Sequence, residues 1–125
     1  MEFKKKQAIY LQIGEHISEN ILRKLWKGGD KIPSIREMAV SIEVNPNTVM
    51  RTYNYLQDMG IIFNKRGIGY FVADRSYEKT QELRKKNFIN LDLPHIFKTM
   101  DLLKITLDDL KELYKTSRDG RKAAE

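Results

Sequence analysis

Apolar residues recur three to four positions apart in several stretches of the chain, which is the spacing that lines one face of an α-helix. The first helix is predicted from Ile9 to Trp26, and it ends at Gly28 and Gly29, because glycine stops a helix without steric cost. Two shorter helices follow over 35–42 and 46–59, separated by three residues. The pattern therefore predicts a long helix and then two short helices joined by a tight turn.

Polar residues mark where both short helices begin. Ser34 and Glu37 have the S-x-x-E spacing of a capping box, in which each side chain accepts a hydrogen bond from the other residue's amide. Asn45 is a strong N-cap, and Pro46 suits the first helical position, where its missing N–H is not needed. The second short helix therefore begins with an unusually polar end.

The second short helix has a buried side and an exposed side. Val49, Tyr53 and Leu56 recur at helical spacing and predict the buried side. The opposite side is then predicted to carry Asn47, Met50, Arg51 and Asn54. This arrangement directs the polar end of the helix away from the core and towards a polar partner.

A β-hairpin is predicted after these helices. Two β-prone runs flank Asn64 to Gly69, a pattern typical of a hairpin with a glycine-bearing turn, and Lys65 and Arg66 lie at its tip. The composition then becomes charged, which predicts a domain boundary with residues 1–75 on one side and residues 76–125 on the other.

The second domain is predicted to be helical. From residue 83 the apolar residues keep a helical period across Pro94, so this segment is either one kinked helix or two helices that meet there. Thr106 marks the capped start of a last short helix, and residues after Ser117 are expected to fray. Two helices bury little core by themselves, so their apolar stripe is expected to pair with a second subunit. The expected dimerisation residues are Ile89, Leu93, Ile96, Phe97, Met100, Leu103, Leu107 and Leu110.

Composition and charge narrow the function classes. The chain has 23 Lys and Arg against 17 Asp and Glu, a formal charge of +6, which favours a polyanionic partner. It has no cysteine, which excludes thiol chemistry, and no apolar run approaches the roughly 20 residues of a membrane span. The two histidines, His16 and His95, are far apart and have no acidic cluster nearby. We therefore expect a cytoplasmic protein that is not an enzyme and has no metal or other cofactor.

Two short helices joined by a tight turn and followed by a basic hairpin have the layout of a winged helix-turn-helix domain, a mainly α fold with a small β-hairpin. In such a domain the second helix enters the major groove of DNA with its N-terminus first, where Asn, Thr and Arg side chains reach base edges. By position, the residues that fit this role are Asn45, Asn47, Thr48 and Arg51. A solvated helix cap is the alternative for any isolated NPNT sequence, and the surrounding layout favours DNA.

Five segments of the sequence carry a more specific resemblance: IYLQI, GGDKIPSIREMA, VNPNTVMRTY, MGII and RGIGYFV. In this order and spacing they resemble the DNA-binding domain of the GntR family of transcription regulators, over residues 8–73. The short tail is similar to that of the YtrA subfamily, whose two C-terminal helices pair subunits.

The resemblance implies a role for each matching residue. Arg36 would contact the DNA backbone or a base near the start of the first short helix, and Arg66 with Gly67 would enter the minor groove. One position departs from the family, since many members have arginine where Met50 stands and the basic residue here is Arg51. The complete expected DNA-binding set is Ser34, Arg36, Asn45, Asn47, Thr48, Arg51, Lys65, Arg66 and Gly67.

These observations predict a sequence-specific transcriptional regulator that binds an inverted-repeat operator in double-stranded DNA as a homodimer. A repressor is expected because such a small chain has little surface to recruit polymerase. A small-molecule effector, if there is one, would bind at the dimer seam or between domain and tail, since the tail offers no evident pocket. The alternative is a winged-helix protein-interaction module in which Lys65 and Arg66 meet an acidic protein partner.

Overall fold

The computed structural model describes residues 7–124, with side chains as far as residue 121. In chain order its elements are α1 (Ile9–Leu22), α2 (Ile35–Ile42), α3 (Pro46–Asp58), β1 (Ile62–Lys65), β2 (Gly69–Val72), α4 (Ser76–Asn87), a π-helical segment (Phe88–Asp92), α5 (Leu93–Leu103) and α6 (Leu107–Ala124). This mainly helical fold with one small hairpin confirms the predicted fold class. Residues 1–6 and residue 125, which the two predicted domains include, lie outside the described residues.

The chain forms two compact units, the first ending at Lys85 and the second beginning at Lys86. The core of the first unit is formed by buried residues from α1, α2, α3, both strands and the segments beside them. They are Ile13, Ile17, Ile21, Ile32, Met38, Ala39, Val49, Tyr53, Leu56, Ile61, Ile62 and Val72.

The first helix ends earlier than predicted. It stops at Leu22 and not at Trp26, because Lys24 has a positive φ of 61° and turns the chain before the glycine pair is reached. The amides of Leu25 and Trp26 then both donate to the Asn20 carbonyl, at 2.9 and 3.1 Å, and close the end of the helix. A lysine in a conformation that usually selects glycine gives no clear signal in the sequence.

The starts of α2 and α3 agree with the predicted caps. The Glu37 amide donates to Ser34 Oγ at 3.1 Å, and the Ser34 amide donates to Glu37 Oε1 at 3.0 Å, which completes the capping box. At the start of α3, Asn45 Oδ1 accepts from an amide of the first turn, and Pro46 is the first helical residue. Glu43 ends α2 in the left-handed region, with φ 56°. This residue makes the sharp turn between the two helices.

The hairpin is extended by the segment that precedes α2. Strands β1 and β2 are antiparallel, with Ile62 opposite Val72, and both side chains are buried in the core. On the other edge of β2, Lys31 forms a bridge with Phe71, and the Ile32 amide donates to the Tyr70 carbonyl at 3.0 Å. The hairpin of β1, β2 and the turn between them is called the wing below. It is anchored both to the core and to the segment that leads into α2.

The second unit resolves the two alternatives left open at Pro94. A π-helical segment, Phe88–Asp92, lies directly before α5, and the Leu93 amide donates to the Phe88 carbonyl, five residues back. Proline has no amide hydrogen and its ring crowds the carbonyl four residues earlier, so a wider turn before it lets the helical backbone continue. The segment is therefore helical on both sides of Pro94, without a break in the helical backbone.

The last helix begins as predicted and extends further than expected. Thr106 caps it, because the Asp109 amide donates to Thr106 Oγ1 at 3.1 Å and the Thr106 amide donates to Asp109 Oδ2 at 3.0 Å. The expectation that the chain frays after Ser117 is wrong within the described residues, since α6 continues to Ala124. Arg118 and Arg121, one and two turns after Tyr114, each make a cation–π contact with its ring, at 5.9 Å from the ring centre. These contacts support the last part of the helix.

Candidate nucleic-acid interface

The N-terminal end of α3 is exposed, and its polar residues lie at the surface. The buried positions Val49, Tyr53 and Leu56 are those predicted, and they fix the rotation of the helix about its axis. Thr48 is half-buried beside them. The residues of the opposite side, Asn47, Met50, Arg51 and Asn54, are all exposed.

Backbone donors at this end of α3 are already used within the protein. Asn45 Oδ1 accepts from the Asn47 amide at 2.8 Å, and the Thr48 amide donates to the Asn45 carbonyl at 3.0 Å. Pro46 has no amide hydrogen. The groups that this helix end can offer to a ligand are therefore mainly side chains. Amide, hydroxyl and guanidinium groups are those that hydrogen-bond to base edges in the major groove.

Arg51 is held by α1. Its guanidinium carbon lies 4.0 Å from the centre of the Tyr10 ring, and Tyr10 meets Tyr55 edge-on, with 5.9 Å between ring centres. The Thr52 hydroxyl donates to the Tyr10 carbonyl at 2.8 Å, which ties the two helices together at the same level. A guanidinium that is stacked on a ring keeps its N–H groups at the edge. Arg51 is thus positioned and is still able to donate to a base or a phosphate.

Tyr10 is a candidate site residue that the sequence alone did not identify. It lies in the first turn of α1, and its ring reaches the exposed side of α3 only because α1 packs across α3. The only signal in the sequence is an aromatic residue just outside the buried stripe of α1. That signal does not reveal the distant arginine as its partner.

The start of α2 contributes Ser34 and Arg36. Ser34 Oγ accepts from the Glu37 amide, and the Ser34 hydroxyl also hydrogen-bonds to the Glu37 carboxyl, so this side chain is already engaged by Glu37 in the free protein. Arg36 is exposed in the first turn of α2. Hydrogen bonds from the Ser34 amide and hydroxyl, together with the positive charge of Lys31, hold the pKa of the Glu37 carboxyl below its usual value. Glu37 is therefore a carboxylate at neutral pH.

Tyr53 connects the three parts of the candidate interface. Its hydroxyl donates to the Pro33 carbonyl at 2.7 Å, directly before α2, and its ring meets the Tyr70 ring of β2 edge-on, with 4.8 Å between centres. Burial raises the pKa of the Tyr53 phenol well above its usual value, so the hydroxyl stays protonated and donates. Helix α3, the start of α2 and the wing are therefore fixed to one buried side chain.

The wing turn carries the remaining predicted residues. The Ile68 amide donates to the Lys65 carbonyl at 2.9 Å and closes the turn, on which Arg66 is exposed. Lys65 folds back, with Nζ 5.1 Å from the centre of the Phe71 ring. Gly67 has φ 79°, and a Cβ at this position would have no atom within 4 Å. The turn is therefore narrow and open, a shape that allows close approach to a duplex.

The second unit carries the expected dimerisation residues. Among them, five are exposed: Ile89, Phe97, Leu103, Leu107 and Leu110. Leu93 and Ile96 are half-buried, and Met100 is buried. Further large apolar side chains are exposed at positions that the prediction did not include: Phe88, Leu91, Leu102, Leu113 and Tyr114.

The described part of the chain also bears on metal binding and on membrane insertion. Within it, no three acidic or histidine side chains lie together so that they could hold a metal ion. No helix there combines the length and the apolar character that crossing a bilayer requires.

Comparison with known proteins identifies related chains. A family model described as "Bacterial regulatory proteins, gntR family" matches residues 9–72. A Bacillus subtilis protein named HTH-type transcriptional regulator YhcF is 39% identical over 119 residues, which cover 95% of this chain and 97% of the relative. The Bacillus subtilis HTH-type transcriptional repressor YtrA is 43% identical over 68 residues, 54% of this chain and 52% of that protein.

A solved structure is similar over most of the chain. The crystal structure of a GntR-family transcriptional regulator from Bacteroides thetaiotaomicron aligns with a TM-score of 0.70 at 38% identity, and the alignment covers 91% of this chain and 99% of the other. The family match spans α1 to β2, the region that contains every candidate DNA contact. The longer alignments include the helical tail as well.

Proposed function

The chain belongs to the GntR family of bacterial regulatory proteins and is a DNA-binding transcription regulator, and we propose that it acts as a homodimeric repressor on an inverted-repeat operator. The observation that carries the proposal is the exposed end of α3, where the backbone donors are used internally and the side chains are presented outwards. Such an end can read base edges without a competing demand from its own backbone.

Each part of the candidate interface has a separate role in the proposal. Asn47, Thr48 and Arg51 read bases in the major groove, with Asn45 both capping α3 and offering its side-chain amide hydrogens. Ser34 and Arg36 meet the backbone beside the groove, where the start of α2 favours phosphate. Lys65 contacts phosphate, while Arg66 and Gly67 enter the minor groove, whose negative potential attracts arginine. Family membership favours duplex DNA over an acidic protein as the partner of the wing.

Pairing of two chains is assigned to the tail. Residues 1–75 bind DNA in this proposal, and residues 76–125 form the homodimer. Support comes from the large apolar side chains that are exposed along α5 and α6, because extensive exposed apolar surface marks interaction sites on proteins. A two-fold pair of identical chains then requires a two-fold operator.

Repression is supported by the YtrA protein, a relative that is named as a transcriptional repressor and matches the DNA-binding half of this chain. The relatives are named as transcription regulators, which points away from an enzyme. A regulator of bacterial transcription acts on the chromosome, so we place the chain in the cytoplasm. Any small-molecule effector would bind at the seam between two chains or beside the DNA-binding domain.

Selection of bound sequences from a pool of random duplexes tests the proposal. Recovered duplexes should contain two related half-sites in inverted orientation, with centres about 10 bp apart or a multiple of it, because successive major grooves face the same side of the duplex at that spacing. Recovery of only single, asymmetric sites would contradict recognition by a homodimer. Failure to enrich any sequence, with binding to mixed duplex absent, would remove DNA as the partner.

A further inference from the structure

Lys31 is not among the DNA-binding residues proposed above, although it pairs with a strand of the wing. It occupies the extended segment before α2 and is paired with Phe71 across an antiparallel bridge. Directly opposed residues of antiparallel strands place their side chains on the same face. Lys31 therefore shares the face of the sheet that carries Phe71 and, across the hairpin, Phe63, which stacks on Phe71 with 5.7 Å between ring centres.

The stem of Lys31 runs over a glycine of the wing. A Cβ at Gly69 would lie 3.1 Å from Lys31 Cε and 3.8 Å from its Nζ, so the lysine occupies the space that a side chain would otherwise fill. Gly69 is paired with Lys65, the last residue of β1 before the turn. The ammonium group of Lys31 thus lies at the base of the wing turn, within one strand pair of Lys65.

Lys31 also precedes the start of α2 closely in the chain, three positions before the cap residue Ser34. Its charge contributes to the lowered pKa of Glu37, after the hydrogen bonds from Ser34, and Glu37 is in the first turn of that helix. Glu37 is a carboxylate that would repel phosphate, and Lys31 offsets this repulsion. One exposed lysine is therefore adjacent to two of the three parts of the candidate interface.

We infer that Lys31 is a further DNA-binding residue, which contacts a backbone phosphate between the start of α2 and the wing. This inference rests on the proposed interface. An ammonium on a flexible stem acts as a point charge that suits a phosphate oxygen better than a base edge. Lys31 then adds affinity that depends on salt and is the same for every sequence.

A salt titration of duplex binding with the full chain tests this role. Lys31→Gln removes the charge and keeps most of the stem over Gly69, and Lys31→Arg keeps the charge. The glutamine variant should weaken binding to the selected operator and to a scrambled duplex by the same factor. It should also make the negative slope of log affinity against log salt shallower, by roughly one unit. The arginine variant should keep the slope of the unmodified chain.

Lys79→Gln is the matched control. Lys79 is also exposed, but its Nζ donates to the Gly60 carbonyl just beyond the C-terminal end of α3. A helix of 13 residues is about 20 Å long, so this charge is far from the end that meets DNA. Lys79→Gln should leave the slope unchanged.

The wing variants Lys65→Ala and Arg66→Ala, measured in the same titration, separate two kinds of failure. If they lower the slope and Lys31→Gln behaves like Lys79→Gln, the role of Lys31 is overturned and the interface stands. If neither they nor Lys31→Gln changes the slope, the proposed interface is overturned with it. A circular dichroism spectrum of each variant verifies that the fold is kept. If Lys31→Gln unfolds, the double variant Lys31→Arg with Glu37→Gln replaces it. Its salt slope should be as steep as that of the unmodified chain or steeper. A shallower slope would contradict the inference.

Discussion

Arg51 is oriented by an aromatic ring before it meets any DNA. Its guanidinium lies 4.0 Å from the centre of the Tyr10 ring, and Tyr10 is itself braced by Tyr55. Ordering a long side chain costs conformational entropy, and an arginine that is already stacked loses less of it on binding. The stack therefore favours Arg51 as a reader of a base edge, where a fixed fork of donors is needed.

Replacement of Arg51 should separate base readout from phosphate contact. Arg51→Ala is expected to cost about 1 to 3 kcal/mol on the selected operator and much less on random duplex, because a lost base contact matters only where the matching base is present. Lys65→Ala is the contrast, since a lost phosphate contact should weaken binding to both duplexes similarly. Equal losses on the two duplexes for Arg51→Ala would remove it from the readout set and leave Asn45, Asn47 and Thr48.

At the scale of single residues, the sequence could predict only local contacts. The capping box of Ser34 with Glu37 and the cap of α3 by Asn45 join residues two or three positions apart, so their spacing alone specifies them. The contacts of Arg51 with Tyr10 and of Lys31 with Gly69 depend on how distant segments pack, and no periodic pattern encodes them.

The turn between α2 and α3 is the element that sets the geometry of the motif. Glu43 is its pivot, with φ 56°, and the amides of Glu43 and Val44 donate to the Val40 and Ala39 carbonyls at 3.3 and 3.0 Å. The left-handed region costs a residue with a Cβ about 1 to 2 kcal/mol relative to the right-handed helix. The turn is therefore formed at some expense in stability.

Replacement of Glu43 by glycine should stabilise the protein. Glu43→Gly removes the steric cost, and part of the gain is lost to the greater freedom of glycine in the unfolded chain, which leaves about 0.5 to 1 kcal/mol in the free energy of unfolding. Urea denaturation followed by circular dichroism measures the change. Glu43→Ala is the control, because it removes the same charge and keeps the steric cost. A lower unfolding midpoint for Glu43→Gly than for Glu43→Ala would contradict the assigned role of the turn.

Helix ends were the least predictable elements, for reasons that differ from place to place. The end of α1 depends on a lysine with positive φ, although glycine is the usual signal for this conformation, whereas the end of α2 at Ile42 is the one predicted. At Pro94 the sequence allowed either one helix with a kink or two separate helices, and the π-helical segment before it keeps the backbone helical without a break. Periodicity predicted that these helices exist, while backbone detail decided where they stop.

At the scale of the whole molecule, the apolar surface of the tail is the feature that a single chain leaves unexplained. Leu102 and Leu103 near the end of α5 are 82% and 65% exposed, and Leu107 at the start of α6 is 73% exposed. Contact with a second chain would remove this surface from water at a gain of about 25 cal/mol per Å². Homodimer formation through the tail is the proposal that accounts for it.

Light scattering on matched leucine variants tests pairing through the tail. Leu103→Lys should shift the protein from dimer towards monomer at micromolar concentration, because a charge would be buried in the interface. Leu25 is the matched control, since it is also 65% exposed and lies in the first unit. Leu25→Lys should leave the mass unchanged. A monomeric unmodified chain, or equal effects of both variants, would contradict the role given to the tail.

The central claim is that two chains place two α3 helices on an inverted repeat, and one binding measurement tests it most directly. The full chain is titrated onto three duplexes at a fixed salt concentration: the selected operator, the operator with one half-site scrambled, and the operator with about half a helical turn, 5 bp, inserted between its halves. We predict two chains bound per intact operator, and a loss of at least about tenfold in affinity, roughly 1.4 kcal/mol, for each of the other duplexes. Equal affinity for all three duplexes, or one chain bound per operator, would contradict the claim.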